Sequence, residues 1–448
     1  MSATSGRGLR RIAVLGNYGN LNLGDEVTLA SVLQFVRRRC PGATVYALSE
    51  HPEETRARHG VETVPSVVGA GGAPPPADAV FPRRPPQAGA GGARGRLKTR
   101  LKRVPLLFVT LRAIVGLPGL FRGLWRHLRF GARGFAFLRR VDLLVVAGGG
   151  QLSDHFEGIW GFPLQLFSWC LLARCAGAQV AVLNVGAGPI RGRGSRVLFR
   201  WTLRLARYRS YRDERSRRLI ESIGVRDAGP VGPDLAFGWE PPAVTPEEPI
   251  ADGRTIGLNV FPYKDWRYSP TYDPAAYAAY VEKIGDLGLA LLAQGYRVRL
   301  FPTQLRADVR VIRDVLETLK PRLPAGEEDR LQVAPIQTVE DLAREIRRAD
   351  VIIATRFHAI VIAMLAGKPV LGLCTESKMT DLMTDMGQAA YALPLDSLQV
   401  SGALARFVDL QADRGRVTAE LARGVRRARQ ALEPQLDAVF GPAAGAAR

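Results

Sequence analysis

Short, predominantly apolar runs alternate with helical stretches along almost the entire chain, and no other feature narrows the fold as much. In the first half the runs are Ile12–Leu15, Thr44–Leu48, Val141–Ala147 and Ala178–Val185. In the second they are Thr255–Val260, Arg297–Pro302, Val351–Ala354 and Val370–Cys374. A strand that is apolar at every position is buried on both faces, as in a parallel sheet covered by helices. The stretches between them supply the helices. One follows Asp25, with Val27, Leu29, Val32, Leu33 and Val36 apolar; others are Phe162–Ala176, Arg200–Arg209, Glu214–Ile223, Ala275–Gln294, Asp308–Leu319, Val339–Ala349 and Phe357–Ala366. Each half therefore predicts an α/β, doubly wound, Rossmann-like domain, and the pair predicts a cleft between them.

The domain limits follow from composition. Residues 239–253 bring four prolines and several acids together, which marks a linker. The expected first domain is 1–238 and the second 254–436, with a helical tail from about Asp396; the Gly/Ala-rich 437–448 is expected to be disordered. Residues 69–140 form an insert in the first domain, Gly/Pro-rich at first and then basic. A length of 448 residues suits two domains with separate cores.

Charge points to anionic partners. The formal net charge is +20, and fifteen basic residues stand between Val80 and Val141 with no Asp or Glu among them, so most of the excess is local. Within that stretch the apolar run Val104–Leu120 is only 17 residues long and contains Arg112, Pro105 and Pro118. An arginine inside a span costs about 3 kcal/mol, which argues against crossing a bilayer. Next to it, Phe121, Leu124, Trp125 and Leu128 share one helical face, flanked by Arg122, Arg126 and Arg129. That pattern suits a helix lying in the headgroup plane of an anionic membrane. The alternative is that Leu124 and Trp125 cover the first domain. The short N-terminal apolar run reads as a strand and not as a signal peptide, so a cytoplasmic protein, peripheral on the inner membrane face, is expected. Cys40, Cys170, Cys175 and Cys374 form no C-x-x-C pair and read as buried reduced thiols; no metal is expected. No nucleic-acid-binding motif is present, and no nucleic-acid partner is expected.

Four loops stand where strands end, the edge at which open α/β sheets bind ligands. The first, Gly16–Asp25, includes Asn17, Asn22 and Gly24 and leads into a helix start suited to an anion. It lacks the G-x-G-x-x-G pattern of dinucleotide sites. Asp25 admits two readings, a helix cap or a functional carboxylate. The second, Gly148-Gly149-Gly150 with Asp154, implies backbone passing close to a ligand. The third carries Arg212 and Asp213, either a surface pair or an anion ligand. The fourth places Arg356 and His358 at a helix start, where an imidazole's pKa falls and anions are attracted. Glu376 and Lys378 follow the next strand at the same edge.

Taken in order, these segments resemble the polysaccharide pyruvyl transferases. Asn17–Glu26 is similar to that family's G-x-x-N-x-G-D-E loop, and Ala147–Asp154 to its GGG-x-x-x-D loop. Asn184–Pro189, with Gly186 and Gly188, resembles G-x-G-x-G-P, with Asn184 in place of the first Gly. Ser210–Ser216 resembles S-x-R-D-x-x-S, and Asp234–Phe237 resembles D-P-A-F with Leu235 for Pro. Arg356–Ala359 resembles R-x-H-A, Ala366–Val370 resembles A-G-x-P-V, and Lys378 matches the Lys of Y-D-x-K, with Thr375 for Tyr.

The resemblance implies a GT-B-like pair of domains. It also implies transfer of a pyruvyl group from phosphoenolpyruvate, as a ketal, to a sugar of a cell-surface glycan or its precursor, with a lipid-linked acceptor compatible. On that reading His358 is the acid/base, Asp25 the base for a sugar hydroxyl, and Arg212 and Arg356 bind the donor's two anionic ends. Asn17, Asn22, Gly24, Gly148, Gly149, Gly150, Asp154, Gly186, Gly188, Asp213, Asp234, Glu376 and Lys378 line the substrates. Phosphoenolpyruvate is a donor substrate, and no cofactor is implied. Two other readings compete. One is a glycosyltransferase of the same architecture, but no E-x7-E arrangement follows His358 to hold a nucleotide. The other is a non-enzymatic membrane- or nucleic-acid-binding protein on a degenerate fold.

Overall fold

The computed structural model describes residues 8–70, 125–155, 157–227, 229–243, 253–265, 268 and 272–442. Two six-stranded parallel sheets form its framework. The first contains β1 (Arg11–Leu15), β2 (Thr44–Ser49), β3 (Glu62–Pro65), β4 (Leu143–Ala147), β5 (Gln179–Val185) and β6 (Tyr208–Tyr211) in the order β3-β2-β1-β4-β5-β6. The second contains β7 (Thr255–Asn259), β8 (Arg297–Phe301), β9 (Leu331–Val333), β10 (Val351–Ala354), β11 (Val370–Cys374) and β12 (Ala392–Pro394) in the order β12-β11-β10-β7-β8-β9. Numbered within its own half, each sheet has the order 3-2-1-4-5-6 of a doubly wound fold, with the switch point beside its first strand.

The central strands form where the sequence is predominantly apolar. All five residues of β4, of β7 and of β11 are buried. A fully buried Val, Leu or Ile contributes about 1.5–3 kcal/mol. One core lies on a single face of the first sheet, where Leu166, Trp169, Phe199 and Leu203 pack on Leu15, Val146 and Val182. The other face, with Ile12, Val14 and Val145, shares a continuous core with the second sheet through the Leu23–Arg39 helix. The cleft is therefore hinged on apolar packing.

Three expectations are corrected. The Arg200–Arg209 segment is not one helix. The helix is Arg193–Leu205, and Tyr208–Tyr211 is a strand. Tyr208, Ser210 and Tyr211 suit a pleated edge, and the arginines between them masked that alternation. Disorder does not begin at 437, because the final helix is Arg414–Phe440. That helix also returns to the first half. Arg39 pairs with Glu433 and Asp437, Arg429 donates to the carbonyls of Phe237 and Trp239, and Arg207 donates to that of Val439. The cysteines are free, but only Cys170 and Cys374 are buried; Cys175 is exposed.

Of the insert, residues 71–124 lie outside the described residues, and with them Val104–Leu120, Phe121, Arg122 and Leu124. Residues 125–138 are helical. Phe130 packs edge-on against Trp169 at 5.8 Å between ring centres, and Phe137 against Tyr46 at 5.2 Å. No helix among the described residues is long and apolar enough to cross a membrane.

Candidate active site

The loop after β1 delivers a carboxylate to the cleft. Asn22 caps the Leu23–Arg39 helix by accepting from the Gly24 amide. Asp25 is thus not the cap. Its Oδ2 accepts from Asn17 Nδ2 at 2.9 Å and from Asn22 Nδ2 at 2.8 Å. Burial pushes its pKa up to about 7; the charges of Glu26 and Asp234 add to the rise and the two asparagines oppose it. The loop is strapped to the second half: Leu23 N–H donates to Thr303 O at 2.8 Å, and Leu305 N–H to Leu21 O at 2.9 Å. Behind Asp25 the triple-glycine turn comes close. Gly149 sits at φ +67, and a Cβ there would lie 3.6 Å from Asp25 Oδ1. Gly148 at φ +56 has no room for a Cβ against Thr28, whereas Gly150 faces open space.

The loops after β5 and β6 supply a guanidinium. Arg212 is nearly buried, with Nη1 3.3 Å from Asp234 Oδ2 and Nε 3.4 Å from Asp213 Oδ2. Its guanidinium lies 4.8 Å over the ring of Phe357, which belongs to the second sheet's half. A side chain at Gly186 would strike Arg212 Nη2.

The second sheet answers with an imidazole. The Phe357–Leu365 helix starts at the end of β10, and His358 sits in its first turn. The imidazole rests against Gly24, where a Cβ would fall 2.1 Å from Nδ1, so only glycine lets the two helix starts meet. Its Nε2 is buried with no hydrogen-bond partner, 3.9 Å from Asp234 Oδ1. Burial drives its pKa down to about 4, helped by Arg212, Lys378 and Arg356 and resisted by Asp234. Lys378 Nζ holds Glu376 at 2.9 Å. Loss of solvent lowers the lysine's pKa; the nearby arginines add to this and Glu376 resists it. Desolvation would raise Glu376, yet Lys378 brings it below the ordinary carboxylate range.

Asp25, Asp234, Arg212, His358, Glu376 and Lys378 thus converge. Other expected ligands are already engaged. Arg356 is closed off by Asp308, with Nε 3.1 Å from Oδ1, and its guanidinium stacks at 4.6 Å over Phe261. Both oxygens of Asp154 accept from backbone, at Arg191 and Gly192, so it clamps a loop. Asp213 caps the Glu214–Ser222 helix through Ser216 N–H. Gly188, at φ +123, packs against Leu219. Asn17 and Asn22 both donate to Asp25.

Sequence reasoning passed over Asp308, which is fully buried and also holds the Thr303 and Gln304 amides that strap the first loop. Glu26, which the sequence offers as a complement to the helix dipole, is fully buried, accepts from Gly19 N–H and lies 2.6 Å from His59 Nε2. For Asp308, an acid between apolar residues at a helix start was the available signal. Asn184 occupies φ +48, which accounts for a family Gly there; its amide grips Pro233 O and Ser210, aligning the segment that bears Asp234. Among the described residues no group of three or more His, Cys, Asp or Glu is placed to hold a metal.

Two parallel 3-2-1-4-5-6 sheets facing a cleft, with chemistry at both carboxyl edges, define a GT-B-like α/β protein. Solved structures agree on the fold. A putative UDP-N-acetylglucosamine 2-epimerase from Listeria monocytogenes aligns over 97% of this chain and 99% of its own, at 10% identity and a TM-score of 0.54. The UDP-GlcNAc 2-epimerase of Methanocaldococcus jannaschii aligns over 89% and 92%, at 8% identity and a TM-score of 0.51. At such identities the likeness shows the fold alone. No curated protein sequence matches the chain. The polysaccharide pyruvyl transferase family model matches residues 22–375, and the chain belongs to that family.

Proposed function

We propose that the protein transfers the pyruvyl group of phosphoenolpyruvate, as a ketal, to two hydroxyls of a glycan sugar. One observation carries this reading: the buried, unpartnered Nε2 of His358 faces a cleft that also holds Arg212, Lys378 and Asp25. Donor binding sets Arg212 and Lys378 against its carboxylate and phosphate. Arg356, spent on Asp308, orients the His358 helix start and does not grip the donor. In the free protein burial keeps His358 neutral, and the surrounding cations add to this. An anionic donor cancels them, so His358 gains a proton on binding and delivers it to the enol carbon. The C2 centre becomes oxocarbenium-like. A sugar hydroxyl adds there and gives its proton to Asp25, whose pKa near neutrality suits a base. Phosphate leaves with the proton that Asp25 took up, and the second hydroxyl closes the ketal and returns its proton to His358.

The test is phosphate release from phosphoenolpyruvate, dependent on acceptor glycan and matched by a new ketal methyl signal in the product. Turnover of a nucleotide sugar with no phosphoenolpyruvate consumption would refute the reading.

A further inference from the structure

We propose that one outer layer of the first domain is a docking face for an anionic lipid bilayer. The layer consists of three helices that pack side by side on one face of the first sheet: 125–138, Phe162–Cys175 and Arg193–Leu205. Their inward sides fill the core. Their outward sides, and the short Gly158–Trp160 turn that leads into the second of them, carry large apolar groups that nothing in the described structure covers. Trp160 is 76% exposed, Trp125 61%, Leu128 57% and Trp201 50%, and Ile159, Leu171 and Val197 are exposed beside them. Most of the exposed large hydrophobic side chains among the described residues thus lie on this single layer.

Charge identifies the occupant. No Asp or Glu occurs from Gly158 to Arg212, nor on the helix 125–138. On the Arg193–Leu205 helix, Arg193, Arg196 and Arg204 alternate with Val197 and Trp201 on the outward side, and Arg204 lies 5.4 Å over the Trp201 ring. On the helix 125–138, Arg126, Arg129 and Arg133 join Val68 and Gly69 around an open hollow of about 290 Å³. Tryptophan and leucine beside arginine, far outnumbering acids such as Glu157 at the margin, is the chemistry of a headgroup interface. The chain's own residues 71–124 are a poor cover, since they carry ten basic residues and a single acid, Asp78. Self-coverage would bring like charges together.

Topology adds direction. Helices of a parallel sheet run against the strands, so their first turns stand at the carboxyl edge. Trp125, Trp160 and Arg193 therefore mark the cleft side of the layer, and a bilayer held there would face the mouth of the site. The face extends well beyond the sequence-predicted strip around Trp125 and does not depend on the reaction proposed above.

The test is co-sedimentation of the full chain with vesicles of phosphatidylglycerol and phosphatidylcholine, against phosphatidylcholine alone, over a salt series. Binding to the anionic vesicles alone is expected, falling with salt. Arg193→Glu with Arg204→Glu should lower partitioning more than tenfold, and Trp160→Ala with Trp201→Ala about fivefold. The control Arg423→Glu with Arg427→Glu, on the exposed side of the last helix, should change little. Circular dichroism should confirm that each variant is folded. Unchanged partitioning in the Arg193/Arg204 variant would assign any binding to residues 71–124 and overturn the proposal. So would absence of wild-type binding. Duplex DNA binding that displaces vesicles and ignores the tryptophan substitutions would overturn it in favour of a nucleic-acid surface.

Discussion

The carboxyl edges of the two sheets share a strand order and differ in electrostatics. At the first edge Asp25 is surrounded by carboxylates, and burial with Glu26 and Asp234 resists its negative charge. At the second edge His358 is surrounded by cations, and burial with Arg212, Lys378 and Arg356 resists its positive charge. Each titrating group is thus pressed toward its uncharged form. Groups pushed apart in this way suit the acid and base roles proposed for them. The contrast teaches that neither half is a site alone. Asp234, from the first half, reaches the imidazole of the second, and Arg212 covers Phe357.

Removing the second edge's imidazole should produce the largest effect. His358→Ala is expected to lower kcat by about 10²–10⁴-fold with an unchanged circular dichroism spectrum. Near-normal turnover by the folded variant would break the comparison. Gly24→Ala sharpens it from the first edge, since its new methyl displaces the imidazole without touching the imidazole's own chain segment. A parallel fall in kcat is expected.

The two arginines split the comparison next. Arg356→Ala strips Asp308 of its buried partner and should cost about 3–5 kcal/mol of stability in denaturant unfolding. Arg212→Ala should instead weaken phosphoenolpyruvate binding by about 2 kcal/mol, read by titration calorimetry. Equal donor affinity in the Arg212 variant and the wild type would remove it from the donor site.

That division explains what was legible. The central strands were readable because they are predominantly apolar and bounded by turn residues. The edge strands Glu62–Pro65 and Leu331–Val333 were not, because half-exposed short segments carry no such pattern. The nearness of His358, Asp25 and Arg212 was readable because each lies between the end of a strand and the first turn of the next helix. The difference between Arg212 and Arg356 was not. It depends on Asp308, 48 residues before Arg356 in the chain, and no local spacing encodes that pair. Asp154 and Asp213 were misread for the same reason: a carboxylate that caps a loop and one that binds substrate look alike until their amide partners are known.

The smallest effect isolates Asp25. Its folded pKa is raised, so its contribution to stability is fully present below about 4, the unfolded value, and is lost as pH climbs through about 7. Asp25→Asn keeps an oxygen for Asn17 and Asn22 but cannot ionise. The variant should therefore match the wild type near pH 4 and exceed it at pH 8, by on the order of 2 kcal/mol. His358 runs the other way. Its lowered pKa gives stability that is present above about 6.5 and lost as pH falls through about 4. The same Asp25 ionisation should govern kcat/KM in the wild type, which rises with pH to a plateau above about 7 if the carboxylate is the base. A stability gap that stays flat from pH 4 to pH 8 would mean that Asp25 titrates normally. The first edge would then lose its opposition to the second.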